Sequence, residues 1–323
     1  MKLNREKVAI IFSLNGISKW RSSNLKFLEN FYSRQDVYVH TSTGNDDIYS
    51  KEKNWNEIIK RLPESIEYVF LSDADVLETP KFNILQKSLD ALIDNDWDGM
   101  QCFTHIRYLS PIGTANITGK DEDWTGFNRF SFLKKIEKSG VNGGKACGGL
   151  LLFKKEYLQK VPLIDYCIMG SGDTINMSVW MPHEQKLPHE KVYNDDLWND
   201  IIERRARREI RFGALPATLL HLYHRSTNND NYLLRNAFIF QIYKQNIMEN
   251  LEELLPYPQV KNIEEYGIIK KRCCGLKTIK DLVLYFNNLR EKESDDLYRF
   301  LYLHENKSAY TVTDNSSPHY YGK

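Results

Sequence analysis

The sequence predicts an α/β protein: a mostly parallel sheet flanked by helices, followed by a helical C-terminal extension. Three observations carry that prediction. Short apolar runs alternate with segments of helical period along the N-terminal part of the chain. The runs are continuously apolar rather than alternating, as strands covered on both faces are. One of them, Val69-Phe70-Leu71, stops abruptly at Ser72-Asp73-Ala74-Asp75. In an open α/β sheet, ligands bind just beyond the carboxyl ends of the strands.

Residues 8–14, Val-Ala-Ile-Ile-Phe-Ser-Leu, form the first expected strand, ended by Asn15-Gly16. Residues 20–33 read as a helix, because Trp20, Leu25, Leu28, Phe31 and Tyr32 fall close to helical spacing. Residues 36–41 give a second strand, 54–62 a helix and 68–71 the strand that carries the acids. Strand–helix–strand–helix–strand is the order of a doubly wound parallel sheet. A helix after Pro80 to about residue 94 leads to a strand over 99–104. Residues 110–130 are a long connection rich in Gly, Asn, Asp and Thr, the composition of a lid or binding loop. Residues 148–153 form a further strand, 155–160 a short helix and 194–208 another helix. Residues 217–223 are a strand or an extended pass. From about residue 229 the pattern is helical, over 232–254 and again within 279–303, before a polar and aromatic tail over 306–323. The expected division is a sheet domain over 1–230 and a helical extension with its tail over 231–323.

Bulk composition narrows the class without naming it. The chain has 323 residues, 41% hydrophobic and 27% charged, as ordinary globular proteins do. A formal net charge of +1 gives no global attraction to nucleic acid, though a local patch stays open. The five cysteines (Cys102, Cys147, Cys167, Cys273 and Cys274) are odd in number and irregularly spaced, which argues against a disulfide framework or a zinc cluster. The N-terminus lacks the apolar region of a signal peptide. No run reaches the ~18 apolar residues of a membrane span. A reducing cytoplasm is the expected location.

Asp-X-Asp occurs four times, and context separates the copies. Asp94, Asp96 and Asp98 follow the amphipathic stretch 84–93 and are expected at a solvated helix end. Asp121 and Asp123 lie in the long connection. Only Asp73 and Asp75 cap an apolar strand. Paired acids there suit a divalent cation holding a diphosphate, since such ions take hard oxygen ligands. The plain alternative is that they begin a turn.

Three further features follow the acids in the chain or stand close to them. Gly170-Ser171-Gly172-Asp173 precedes a helix-like stretch, and Asp173 reads as a general base or as an N-cap. His221-Leu222-Tyr223-His224 offers two imidazoles three apart, as ligands beside carboxylates or as structural histidines. Lys51-Glu52-Lys53-Asn54 stands at a helix start that faces the crevice, where N–H groups and a cation favour phosphate, or else is simply solvated. The basic run over 203–211 is a solvated helix face or a phosphate contact. Trp124 and Phe127 are stacking residues or loop anchors.

Taken in order, these residues resemble the GT-A superfamily of nucleotide-sugar glycosyltransferases, nearest its family-2-like and β-galactosyltransferase-like inverting branches, over about residues 8–232. The resemblance implies a donor nucleoside-diphosphate sugar held by Asp73, Ser13, Asn15, Lys51 and Asn54. It implies a divalent ion, Mn²⁺ or Mg²⁺, held by Asp75, His224 and His221. It makes Asp173 the base that deprotonates the acceptor, although the family's usual Trp-Gly-Gly-Glu-Asp is here Met169-Gly170-Ser171-Gly172-Asp173. The strand over 148–153 matches the strand before the family's acceptor site, and 110–130 would be its lid. His221 to Arg225, Asn231-Tyr232 and Arg235 also resemble phage-associated members. That resemblance suggests hydroxymethylated pyrimidine in double-stranded DNA as the acceptor, in a host cytoplasm. A bacterial surface glycan or lipid-linked sugar is the other acceptor class.

Two rivals come from other classes. One is an inactive scaffold of this type that binds glycan or DNA. The other is a nucleotidyltransferase, which releases pyrophosphate and would show a Gly-rich basic loop after its first strand. Residues 13–19, Ser-Leu-Asn-Gly-Ile-Ser-Lys, are a poor version of that loop. A weaker reading makes the C-terminal helices a docking platform for a partner.

Overall fold

Two sheets meet at the turn that carries the acid pair. The computed structural model describes residues 2–15, 19–44, 51–79, 82–109, 126–131, 145–165, 172–180, 195–207 and 209–222. In chain order the elements begin β1 (Val8–Asn15), α1 (Lys19–Tyr32), β2 (Tyr38–Gly44), α2 (Lys51–Arg61), β3 (Tyr68–Asp73), β4 (Val76–Glu78) and α3 (Ile84–Asp94). Then come β5 (Gly99–Gln101), β6 (His105–Leu109), β7 (Gly126–Ser131), β8 (Lys145–Ala146), β9 (Leu150–Lys154) and α4 (Lys155–Lys160). The last are α5 (Gly172–Trp180), α6 (Asp195–Arg207), β10 (Phe212–Ala214) and β11 (Thr218–His221).

The larger sheet has six strands in the order β10-β5-β9-β3-β1-β2. β1 pairs parallel with β2 and β3, and β10 parallel with β5. β9 runs antiparallel between β3 and β5. This is the expected α/β class with a mostly parallel sheet, and one reversed strand is added to it. The continuous apolar runs are explained by burial on both faces. Val8, Ala9, Ile10, Ile11 and Phe12 of β1 and Val69, Phe70 and Leu71 of β3 are fully buried. Leu25, Leu28 and Tyr32 of α1 and Ile84, Leu85, Leu89 and Leu92 of α3 enter the same core.

The smaller sheet, β4-β11-β6-β7-β8, was not expected. β4 follows β3 after only Ala74 and Asp75, so the chain passes from one sheet to the other through the acid pair. β11 lies between β4 (antiparallel) and β6 (parallel). Residues 217–223, read as a strand or an extended pass, thus supply a strand. Part of the long connection over 110–130 is also a strand: β7 pairs antiparallel with β6, from Leu109 opposite Gly126 to His105 opposite Phe130. Residues 110–125 with Trp124, His224, and the extension over 231–323 lie outside the described residues.

Two expectations about charge need correction. Asp98 is not at a solvated helix end: its side chain is 2% exposed. Its Oδ2 accepts the Arg211 N–H at 3.1 Å, and Lys154 Nζ lies 3.6 Å from its Oδ1. The network keeps β10 against β5. The basic run over 203–211 is not a uniform solvated face either. Arg204 Nε donates to Asp200 at 3.1 Å and its guanidinium also reaches the Pro162 carbonyl. Arg205 is buried against the Ser178 carbonyl, and Arg211 pairs with Asp96 and Asp98. These arginines fasten α6 and β10 to their neighbours.

Candidate active site

Asp73 closes β3, in register with Ser13 of β1, which is buried. Both its oxygens are engaged. Lys51 Nζ donates to Oδ1 at 2.7 Å, and the Gly149 N–H donates to Oδ2 at 2.9 Å. The Asp73 N–H in turn donates to the Gly149 carbonyl at 2.9 Å. Gly149 has φ +107°, a left-handed backbone that disfavours any side chain. Burial works to raise the Asp73 pKa. The Lys51 ammonium outweighs it, His221 and the Gly149 N–H add to the effect, and the carboxyl is held below its usual range.

Gly148 explains how a second carboxylate reaches this point. A Cβ at Gly148 would lie 2.6 Å from Asp173 Oδ2 and 3.1 Å from Asp73 Oδ2, so only glycine lets the two acids close over the same backbone. Asp173 stands in the first turn of α5, one residue after the helix begins, and its Oδ1 accepts the Thr174 N–H at 2.9 Å. Its other oxygen faces Gly148.

What fixes α5 against α2 is a pair of buried asparagines. Asn56 donates from Nδ2 to the Leu163 carbonyl at 2.9 Å and accepts the Leu163 N–H at 3.0 Å. Asn176 accepts the Ile164 N–H at 2.8 Å and donates to the carbonyls of Ile164 at 3.0 Å and Gly172 at 2.9 Å. Each amide satisfies backbone groups that burial would otherwise leave unpaired. The segment between them therefore sets the distance between Lys51 on one helix and Asp173 on the other.

Asp75 is buried on the far side of the turn. Pairing of β4 with β11 sets Val76 opposite His221, and the Leu222 N–H donates to the Asp75 carbonyl at 2.6 Å. His221 Nε2 consequently lies 3.4 Å from Asp75 Oδ1. Its ring stacks on Tyr108 of β6, with centroids 4.2 Å apart and planes at 21°. His221 Nδ1 lies 3.1 Å from the Leu222 carbonyl, which can only accept, so that nitrogen carries the proton. In the neutral ring this leaves the Nε2 lone pair facing a carboxylate oxygen. A divalent ion placed between them would find an oxygen and a nitrogen ligand.

An oxygen ligand beside an imidazole suits Mn²⁺, and Mg²⁺ commonly takes one or two protein groups plus substrate phosphates. Asp75 and His221 fit a divalent ion in kind. Among the described residues no group of three or more His, Cys, Asp or Glu side chains is arranged to hold one.

The remaining donor-binding expectations fall unevenly. Lys51 points at Asp73 and lies over the Trp55 ring, 4.8 Å from its centroid. Burial opposes its charge, but Asp73, Asp173 and Glu52 together hold its pKa well above the usual lysine value. Asn54 follows on α2. Its Nδ2 is shielded from solvent, with no hydrogen-bond partner among the described residues. Asn15 ends β1 opposite Gly44 of β2.

Sequence reasoning passed over Glu52. Its signal was present: Glu52, Trp55, Asn56 and Ile59 share one helical stripe, and all four are buried. Its carboxyl rests on Gly172, where a Cβ would overlap it. Burial first, then Asp173 and Asp73, push its pKa up to about 7 against the pull of Lys51. Lys51, Glu52, Trp55, Gly148, Asp173 and Trp180 line one cavity.

Fold and site together define an α/β protein in which carboxylates, a lysine and a histidine gather at the carboxyl end of β3 and the turn after it. No protein-family model and no curated protein matches the chain. Solved structures do. The catalytic domain of Drosophila beta1,4galactosyltransferase 7, in complex with xylobiose, is 12% identical over 64% of each chain, with a TM-score of 0.27. The present chain thus spans less than two thirds of that domain. A glycosyltransferase involved in the glycosylation of the major capsid of PBCV-1 is 11% identical over 67% of this chain and 93% of its own, at 0.32. Mannosyl-3-phosphoglycerate synthase from Rubrobacter xylanophilus is 9% identical over 72% and 71%, at 0.37. At these scores the likenesses carry no argument about what this protein does.

Proposed function

We infer that the protein transfers a sugar from a nucleoside-diphosphate sugar to a hydroxyl group of a glycan or lipid-linked sugar, with a divalent ion at the diphosphate. One observation carries the reading. Asp73 and Asp173 close over Gly148 at the end of β3, while Asp75 and His221 face each other one turn away. The motif order that resembles the GT-A superfamily supports it as well.

The chemistry is a single displacement. The acceptor oxygen bonds to the anomeric carbon as the bond from that carbon to the diphosphate oxygen breaks, and nucleoside diphosphate leaves. Asp173 takes the acceptor's proton, from a position near the strand-end acid that orients the donor. In this reading Ser13, Asn15, Asn54 and Asp73 hold the donor's nucleoside, a role supported by the register of Ser13 with Asp73. Lys51 offers its ammonium to the phosphates when it turns from Asp73. An ion held by Asp75 and His221 would supply positive charge to the leaving diphosphate.

The choice of acceptor is supported by three of the arginines in the basic run. Arg204, Arg205 and Arg211 are spent on Asp200, backbone carbonyls and Asp96 and Asp98. They offer little to a DNA backbone, whose binding rests on cations free to reach phosphate. That favours a glycan or lipid-linked sugar over hydroxymethylated DNA.

The test is incubation with Mn²⁺ and a panel of nucleotide sugars, with glycolipid and, separately, hydroxymethylated DNA as acceptors. Metal-dependent release of nucleoside diphosphate that disappears in Asp75→Ala is the expected result. Pyrophosphate release makes the protein a nucleotidyltransferase, and no release with any donor makes it a binding module.

A further inference from the structure

The cavity is lined by two carboxylates, Asp173 and Glu52, and by Lys51, whose ammonium reaches a third carboxylate, Asp73. Asp73 and Asp173 close over Gly148, and both have parts in the proposed reaction. Glu52 has none. It is 3% exposed, on the apolar stripe of α2, pressed against the first residue of the helix that presents Asp173. A carboxylate buried solely for packing is costly and is usually replaced by an apolar side chain or paired with its own cation. Among the described residues the cation facing Glu52 is Lys51, already bonded to Asp73 at 2.7 Å.

We propose that Glu52 is a positioning residue of this site: it holds a proton while the site is open, leaving Lys51 to Asp73 and Asp173, and its ionisation turns the cavity against an anionic ligand. The proposal rests on the reading of the site as one for a nucleoside diphosphate.

Two states follow from the charges that face Glu52: Lys51 on its own helix, Asp73 on β3 and Asp173 on α5. With the proton on Glu52, the ammonium answers two carboxylates. Without it, the same ammonium answers three, and it is drawn toward Glu52. A diphosphate entering then meets one more buried negative charge and a less available cation. Glu52 stands near neutrality because burial favours its uncharged form and Asp173 adds to that, as the pKa of about 7 expresses.

The experiment has two arms on the full chain. In the first, glutamate side-chain carboxyls are labelled with ¹³C and titrated by NMR without any ligand. The resonance that Glu52→Gln removes should titrate near neutral pH. Asp173→Asn should lower that midpoint by about one unit, the scale at which neighbouring sites couple. A midpoint in the ordinary glutamate range, or one that ignores Asp173→Asn, overturns the proposal.

The second arm measures binding of UDP, GDP and dTDP with Mn²⁺ between pH 5.5 and 8.5 by calorimetry. Affinity in the unaltered protein should fall about tenfold as Glu52 ionises, a loss that Glu52→Gln abolishes. A purely structural Glu52 would lower affinity or stability equally at every pH and would leave the profile's shape intact, which also overturns the proposal. Absence of nucleotide binding at any pH defeats the functional reading instead, and the carboxyl titration still decides the protonation of Glu52.

Discussion

Two clusters of charged side chains sit on the larger sheet, and they are built on opposite rules. At the β10 edge, Asp96 and Asp98 meet Lys154 and Arg211, two acids with two bases. Hydrogen bonds from Arg211 and Lys154 hold Asp96 down to about 2. At the carboxyl end of β3, three acids share Lys51, and burial lifts Glu52 to about 7. The balanced cluster ties a strand in place and needs nothing more. Among the described residues the unbalanced one is short of positive charge, which a proton, a metal ion or a ligand's counter-ion would supply. Fold stability alone does not call for that arrangement, and it falls at the end of the sheet where the proposed function puts the donor.

The largest way to break this contrast is Asp75→Ala. Metal-dependent nucleoside diphosphate release should fall by about a hundredfold or more, the range expected when transition-state charge loses its stabilisation. Stopped assays with Mn²⁺ read it, and a variant within threefold of the parent defeats the assignment.

Next comes Asn176→Ala, which strips partners from Ile164 and Gly172. Urea unfolding should show a loss of about 3 kcal/mol, since buried backbone groups are left unpaired. Donor turnover should drop with it, because α5 carries Asp173.

Glu52→Gln sharpens the contrast through pH. The folded-state pKa of Glu52 is raised from 4.5 to about 7, so the native state binds a proton that the unfolded chain has released. Its share of stability is complete below about pH 4.5 and is lost as pH rises through about 7. The difference amounts to about 3 kcal/mol on the alkaline side, taken as an order of magnitude. Thermal melts should show Glu52→Gln gaining on the parent from pH 5 to pH 8. Parallel curves would mean that Glu52 titrates normally.

The smallest effect belongs to the balanced cluster. Asp96 has a lowered folded pKa, so its contribution is present above the unfolded value of 3.8 and is lost as pH falls through about 2. Arg211→Ala should raise the pH of acid unfolding slightly and leave donor release unchanged. A drop in release would join the two clusters functionally and undo the comparison.

How much of this was legible follows from how local each signal was. Val69-Phe70-Leu71 and Asp73 could be read together because a strand and its last residue are neighbours in the chain. Gly172-Asp173 was legible for the same reason. The meeting of Asp75 with His221 was expected only through the family resemblance and not from the residues themselves, because it depends on β4, three residues long, pairing with a strand that arrives late in the chain. A strand that short has too few side chains to display a period. Asp98 misled because a helix end usually faces water, and only the arrival of Lys154 and Arg211 from distant strands buries it. Glu52 went unread although its place on the stripe with Trp55, Asn56 and Ile59 was visible. An acid there looks like the solvated start of a helix until Gly172 is known to cover it.

The turn at Ala74 has one further consequence. It splits the acid pair between two bodies: Asp73 belongs to the six-stranded sheet, and Asp75 leads straight into the five-stranded one. Under the proposed function the reaction centre would straddle a seam, with Asp73 on one slab and Asp75 on the other. One extra residue inserted after Ala74 that shifts β4 by one place along β11 would exchange the two buried faces of β4 and separate Asp75 from His221. The same slip would take Glu78 from Gln35 and from the Ile84 N–H that opens α3, so the seam ties the acid pair to the packing of the larger slab.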